Sequence, residues 1–314
     1  MNNNVRRITD GAMMTAIVGA LLLINRQFAG LFEESFLFLF PLPMVFYSAK
    51  YGMKSSWIVL VAILLLTIVI GTPQTLFYVA SESLIGMIYG GGIYKGTDSR
   101  KLVLITMVIS VFASVISMII YAQFFGYNIV EEVGRWKNIL IQAAASQGIV
   151  IPDSINLNQY VMTVLIVATI LTGILQAFIT HVLARTLLKR FHYHVEPATP
   201  FFKYFPPVWS GYLAFFGTCV YFYLATRPLE NELLQNTLMV IGMCGAVYLT
   251  IYGMIAILVY TSVRMPKIKI LALLLSFFLV IGMPMLMITI GFLYITTSWH
   301  KRLLEGDAHA TRIE

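Results

Sequence analysis

The sequence predicts an all-α, polytopic transmembrane helical bundle with eight firm spans plus a C-terminal segment of one or two passes. Two totals carry the class: 59% of the 314 residues are hydrophobic and only 11% are charged, and the mean hydropathy is +0.83, well outside the range of soluble domains. The third observation is spacing. Long apolar runs, of the roughly 20 residues that a helix needs to cross the hydrocarbon, recur along the chain between short charged loops. Helices rather than a barrel are implied.

The first run, residues 8 to 24, follows Arg6 and Arg7 but carries no small-residue cleavage pattern. It therefore reads as a retained helix, and the numbering as that of the mature chain. It contains the stretch GAMMTAIVGA, in which Ala12, Ala16 and Ala20 recur every four residues and form a shallow groove along one side. The second run, 36 to 49, is short. Pro41 and Pro43 remove helix donors there, which predicts a distorted or partly unwound segment whose freed carbonyls protein or water must satisfy. Runs 56 to 71 and 74 to 94 follow. The latter holds Gly86 and Gly90 at small-xxx-small spacing before Gly91 and Gly92, which suits a close helix contact followed by a flexible exit into the cytoplasm. No lysine and hydroxyl residue follow the glycine triplet, so it is not a phosphate loop.

Runs 102 to 126 and 160 to 185 complete six spans. Between them lies an outside segment, about 127 to 159, where Val133, Trp136, Leu140 and Ala143 recur at helical spacing opposite Glu132, Arg135 and Gln142. This is an amphipathic helix on the outer surface, or a lid. Residues 1 to 190 thus form a six-helix membrane core, 191 to 206 a proline-rich cytoplasmic linker, and 207 to 314 C-terminal membrane helices with a short tail. That last part contains runs 207 to 226, 237 to 263 and 268 to 299. The final run would make a helix of roughly 48 Å, too long for one straight crossing. Gly282 and Pro284 interrupt it, so a single kinked helix and a broken hairpin both remain open.

Orientation comes from charge. Fourteen basic residues, Arg185 at the end of the sixth run among them, fall in loops on the N-terminal side of the membrane, against Arg26, Arg135, Lys137 and Arg227 on the other. That asymmetry predicts a membrane protein with a cytoplasmic N-terminus, and it explains the net charge of +7 without nucleic acid. The lipid bilayer is the first partner.

Ionisable groups inside a span are expensive and point to function. Glu82 is the only carboxylate in the body of a predicted span. Helical spacing sets Thr75, Tyr78, Glu82, Gly86 and Tyr89 on one face. Such a face suits a cavity open to the outside that takes a polar or cationic ligand. The alternatives are that Glu82 pairs with a base such as Arg26, or stays protonated and hydrogen-bonds a neighbouring helix. The sixth span carries a matching polar face, Thr169, Thr172, Gln176 and Thr180, although hydroxyls and amides also bond across membrane helices with no ligand present. Arg26 either snorkels to water or closes an outer pocket. The candidate ligand-binding residues are therefore Glu82, Tyr78, Thr75, Gln176, Thr172 and Arg26.

Other chemistry is excluded more simply. His192, His194 and Glu196 fall short of a converging metal site and read as a solvated basic loop. Cys219 and Cys244 lie in apolar runs and make no disulfide framework. No nucleophile elbow, zinc-protease pattern, facing acid pair or nucleotide-binding loop is present. The expectation is a protein that is not an enzyme, needs no cofactor or metal, and relies on another subunit for any ATP-driven step.

The arginine-flanked first span with Ala12, Thr15, Ala16 and Ala20, the segment FPLPMVFYSAKYG at 40 to 52, and the glycine-rich fourth span together resemble the substrate-binding S-components of energy-coupling-factor vitamin transporters. The whole chain looks like the YybS-like family of bacterial multi-pass membrane proteins, which shares that core. The resemblance to S-components covers about residues 8 to 190. It implies that Ala12, Ala16 and Ala20 dock a membrane coupling subunit, and that Glu82 and the polar face of the sixth span line a pocket for a small molecule from outside. Similar folds are also implied for cell-envelope scaffold proteins, which transport nothing; a scaffold for envelope or signalling proteins is the alternative reading.

Overall fold

The computed structural model describes residues 3–28, 30, 31, 36, 38–152, 156–193, 195, 205–265, 269–297 and 299. Every regular element among them is helical: α1 (Asn3–Gln27), α2 (Pro41–Tyr51), α3 (Met53–Ile70), α4 (Pro73–Tyr94), α5 (Ser99–Phe124), α6 (Ile129–Ser146), α7 (Leu157–Arg190), α8 (Val208–Thr226), α9 (Glu232–Arg264), α10 (Lys269–Gly282) and α11 (Pro284–Thr296). Seven of these are long and apolar enough to cross a membrane: α1, α3, α4, α5, α7, α8 and α9. The pair α10 and α11, bent by 117° at Met283, makes an eighth if it counts as one span. Each half is short for a crossing, as a broken span or re-entrant segment would be.

The second run differs from expectation. Its helix, α2, has 11 residues, or roughly 16 Å of rise, and is buried along most of its length. Pro41 and Pro43 do not unwind it. They sit in its first turn, where backbone N–H groups have no intrahelical acceptor in any case, so the missing donors cost little. The helix ends at Gly52, whose φ of +77° favours glycine, and α3 starts at the next residue.

Other helices begin at recognisable caps. The Thr72 hydroxyl accepts from the Thr75 N–H at 3.1 Å, followed by Pro73 at the first turn of α4. Asp98 caps α5, and the N–H groups of Lys101 and Arg100 that donate to its carboxylate hold it below the usual acid range. The Asn231 side chain accepts from Leu234 N–H at 3.1 Å to open α9.

The chain packs as two compact units, Met1–Ile129 with Ala168–Thr199, and Val130–Val167 with Pro200–Glu314. In the first, α4 lies against α2 at backbone distance. A Cβ at Gly86 would stand 2.2 Å from the Pro41 carbonyl oxygen, and one at Gly90 would stand 2.4 Å from that of Val45. The Ser48 hydroxyl fixes the same contact by donating to the Met87 carbonyl at 2.8 Å. The glycine triplet forms no flexible exit: helix α4 continues through Gly92 to Tyr94. Packing explains this, since a Cβ at Gly91 would meet Met53 at 3.1 Å and one at Gly92 would meet Leu102 at 2.5 Å. Close neighbours offset the roughly 1 kcal/mol per residue by which glycine disfavours a helix.

The stretch GAMMTAIVGA divides its small residues between two faces of α1. Gly11 and Gly19 point inward, where a Cβ would meet Val59 at 2.9 Å and Leu66 at 2.8 Å on α3. Ala12, Ala16 and Ala20 are exposed.

The second unit uses the same device. Gly242 and Gly245 of α9 approach the carbonyls of Gly217 and Ala214 on α8, and Gly253 and Gly291 bring α9 and α11 together. Segment 127 to 159 contains the expected amphipathic helix, α6, in which the Trp136 indole donates to Glu132 at 2.9 Å. Of its expected apolar face only Val133 is buried; Trp136 is 45% exposed. Of the linker histidines, His192 follows the end of α7 with φ +61°, and His194 and Glu196 lie outside the described residues.

These contacts make a stability prediction. Gly86→Ala places a methyl group against a carbonyl that cannot retreat, and overpacking of this kind costs roughly 1–3 kcal/mol. Gly134→Ala, in α6 with nothing within 4 Å of its Cβ position, is expected to be neutral or stabilising by about 0.5–1 kcal/mol. Thermal melts in detergent measure both; equal midpoints for the two variants would contradict the packing account.

Candidate functional site

Because Gly86 and Gly90 hold one face of α4 against α2, the adjacent face, which carries Glu82 and Tyr89 two turns apart, is directed elsewhere. Both residues reach α7 by polar contacts. The Gln176 amide donates to a Glu82 carboxylate oxygen, and the two side chains are buried, 3% and 2% exposed. Two turns on, the Tyr89 hydroxyl lies 2.8 Å from His181 Nδ1, and Arg185 Nε donates to the same hydroxyl at 3.2 Å. All three are buried as well. Roughly 10 Å separates the two clusters along α4.

The seam is polar along its length and incompletely satisfied. Ser83 Oγ, Thr180 Oγ1 and His181 Nε2 are buried on these same two helices with no hydrogen-bond partner among the described residues. Buried polar atoms rarely stay unpaired, and where they do a water, ion or ligand is the usual reason. Gln176 is the partner that Glu82 has among the described residues, whereas an ionised carboxylate offers about four acceptor positions.

The expected site residues separate accordingly. Glu82 and Gln176 come together, and Thr180 of the same polar face is buried with them. Thr75 is buried at the start of α4, with its hydroxyl 2.8 Å from that of Thr72. Tyr78 packs its ring on Tyr121 of α5, with centroids 5.3 Å apart. Thr172 is exposed and returns its hydroxyl to the Ala168 carbonyl at 2.9 Å, and Thr169 donates to the Met118 sulfur at 3.8 Å. Arg26 is exposed, with Nη1 3.5 Å from the Ile70 carbonyl; it does not pair with Glu82.

Three ionisable residues escape the sequence patterns. His181 and Arg185 are ionisable residues within α7, and Arg185, counted among loop cations, is only 4% exposed. Their i, i+4 spacing on the helix that carries Gln176 was the available signal. Asp10 is a second carboxylate inside a membrane helix: it accepts from Lys50 of α2 in an ion pair, and from the Tyr51 hydroxyl at 2.7 Å. Forty residues separate Asp10 from Lys50, and no local pattern connects them.

Among the described residues, no group of three or more His, Cys, Asp or Glu side chains converges as a metal site. The seam instead suits hydrogen-bonded recognition, with a carboxylate, an amide, a phenol, an imidazole and a guanidinium in one buried line. Tyr89→Phe removes the hydroxyl that meets His181 Nδ1 and is expected to cost roughly 1–3 kcal/mol, the penalty of an orphaned buried group. Chemical unfolding in detergent measures it; a variant as stable as the parent would show that water already serves this cluster.

The chain matches the family described as "Predicted membrane protein (DUF2232)" over residues 16–293. It is 23% identical over 210 residues to a protein of Bacillus subtilis (strain 168) described as "Uncharacterized protein YybS", a match that covers 62% of this chain and 66% of that relative. No solved structure matches. The family match extends from within α1 to within α11 and so takes in both compact units: the chain belongs to the DUF2232 family of predicted multi-pass membrane proteins.

Proposed function

We propose that this is a bacterial plasma-membrane protein, N-terminus in the cytoplasm, that binds a small polar or cationic molecule from outside and works with partner subunits, without catalysing a reaction. The observation that carries the reading is Glu82, a buried acid with a single amide partner among the described residues. Burying a carboxyl group inside a membrane helix is costly, and one hydrogen bond leaves most of its accepting capacity unused. A ligand that donates to the free oxygen supplies the missing compensation.

Partner docking is the second part of the proposal. Ala12, Ala16 and Ala20 are exposed on α1, so the smooth strip is open to another membrane helix, as the likeness to S-components implies for a coupling subunit. Small residues permit close backbone approach, which is what drives helix association in lipid. The same exposed strip serves a scaffold for envelope or signalling proteins, the alternative reading, and only the ligand distinguishes the two.

Native mass spectrometry of protein extracted gently from its own membrane tests the binding reading. A co-purifying small molecule is expected with the parent protein and is lost in Glu82→Gln; an empty site on repeated extraction overturns it. For docking, the double variant Ala16→Leu and Ala20→Leu is expected to shed a co-purifying membrane protein while keeping the parent melting temperature. Retained partners with a lowered melting temperature would mean that the strip packs internally.

A further inference from the structure

We propose a second binding site: the cavity bounded by α1, α2 and the end of α7 holds one acyl chain of an anionic phospholipid, with the phosphate seated at Lys50. The cavity has a volume of about 580 Å³ and extends along α1 from Asp10 to Leu21, roughly 16 Å at the helical rise. Its size falls within the span of about 300–1,000 Å³ that small-molecule sites occupy.

Its chemistry is divided end to end. The body is walled by Met14, Ile17, Leu21, Leu39 and Leu42, a lining that offers a polar solute no partner. Methionine side chains there adapt to an irregular chain. The charged groups gather at the Asp10 end, where Lys50 and Asp10 are paired and the Tyr51 hydroxyl donates to Asp10 at 2.7 Å. A long apolar body with one charged end is the outline of an amphiphile.

Charge selects the head. The Lys50 ammonium has three donors, engaged in part by Asp10 and the Tyr51 hydroxyl, and its side chain is 35% exposed, so it is reachable from the membrane surface. Arg6 acts electrostatically on Asp10, and Arg7 on Tyr47 of the cavity wall. Three cations against one carboxylate leave this end positive, and an anionic phosphate completes it. The bilayer supplies such lipids at the surface where juxtamembrane basic residues attract them. The site shares no lining residue with the Glu82 seam, and its occupancy does not depend on a ligand there.

The test uses the full chain in bilayer nanodiscs made from equal parts phosphatidylglycerol and phosphatidylcholine, with retained lipid read by native mass spectrometry. The parent protein is expected to keep one phosphatidylglycerol in preference to phosphatidylcholine. Lys50→Gln and Arg7→Gln are each expected to reduce that preference by about fivefold, the worth of one basic residue near a membrane surface. Arg7→Gln leaves the Asp10 pair intact, so its result stands even where Lys50→Gln lowers stability. Ile17→Trp, at a position 43% exposed and lining the cavity, fills the body and is expected to abolish retention of the bound lipid. Equal retention of the two lipids by the parent, or a preference that survives both Arg7→Gln and Ile17→Trp, overturns the proposal.

Discussion

The contact on which the first unit depends is the one between α4 and α2, where Gly86 and Gly90 bring helix backbone against the carbonyls of Pro41 and Val45. In lipid the hydrophobic effect does not drive helices together, because the surrounding chains are as apolar as leucine; close van der Waals contact and hydrogen bonding take its place. Two absent side chains four residues apart create that contact, and the Ser48 hydroxyl on the Met87 carbonyl holds its register. A further consequence is rotational. With α4 fixed by its glycine face, Glu82 and Tyr89 meet α7, and the link between those helices is built from polar side chains. The short α2 is what makes this possible: its prolines lie in a turn that needs no donors, so it packs as a buried helix of 11 residues.

The two polar regions of the first unit have different characters. The α4–α7 seam is buried, with atoms that lack partners among the described residues, and so is suited to a small ligand that brings its own donors. The Asp10–Lys50 pair is partly exposed and sits at the end of an apolar cavity, where an ion pair of this kind adds little stability by itself but gives the cavity a charged end. The second unit repeats the glycine contacts, at Gly242, Gly245, Gly253 and Gly291. Its polar links, Gln159 to Asn236 and Gln235 to Gln159, both at 2.9 Å, join helix ends.

Much of this was legible in residues taken singly. Apolar run lengths placed the long helices, and the spacing from Glu82 to Tyr89 put both on one face because a helix repeats nearly every seven residues. Gln176 and Thr180 were legible for the same reason. What one helix cannot reveal is which of its faces meets a neighbour. The small residues of GAMMTAIVGA look alike in sequence, yet the glycines pack inward on α3 and the alanines remain outside. The triplet at Gly90 has the composition of a hinge and the structure of a packed helix end, since Leu102 and Met53 fill the space its missing side chains leave. Arg185 resembles a loop cation by position, but α7 runs on to Arg190 and the Arg185 side chain is buried.

The central claim is that the α4–α7 seam is a binding site and not merely polar packing. A density map at side-chain resolution, from protein extracted with its native lipids, tests it most directly. The account predicts non-protein density within hydrogen-bonding distance of Glu82, on the carboxylate oxygen that Gln176 does not occupy. A seam closed by side chains alone, with Glu82 contacted only by protein, would contradict it.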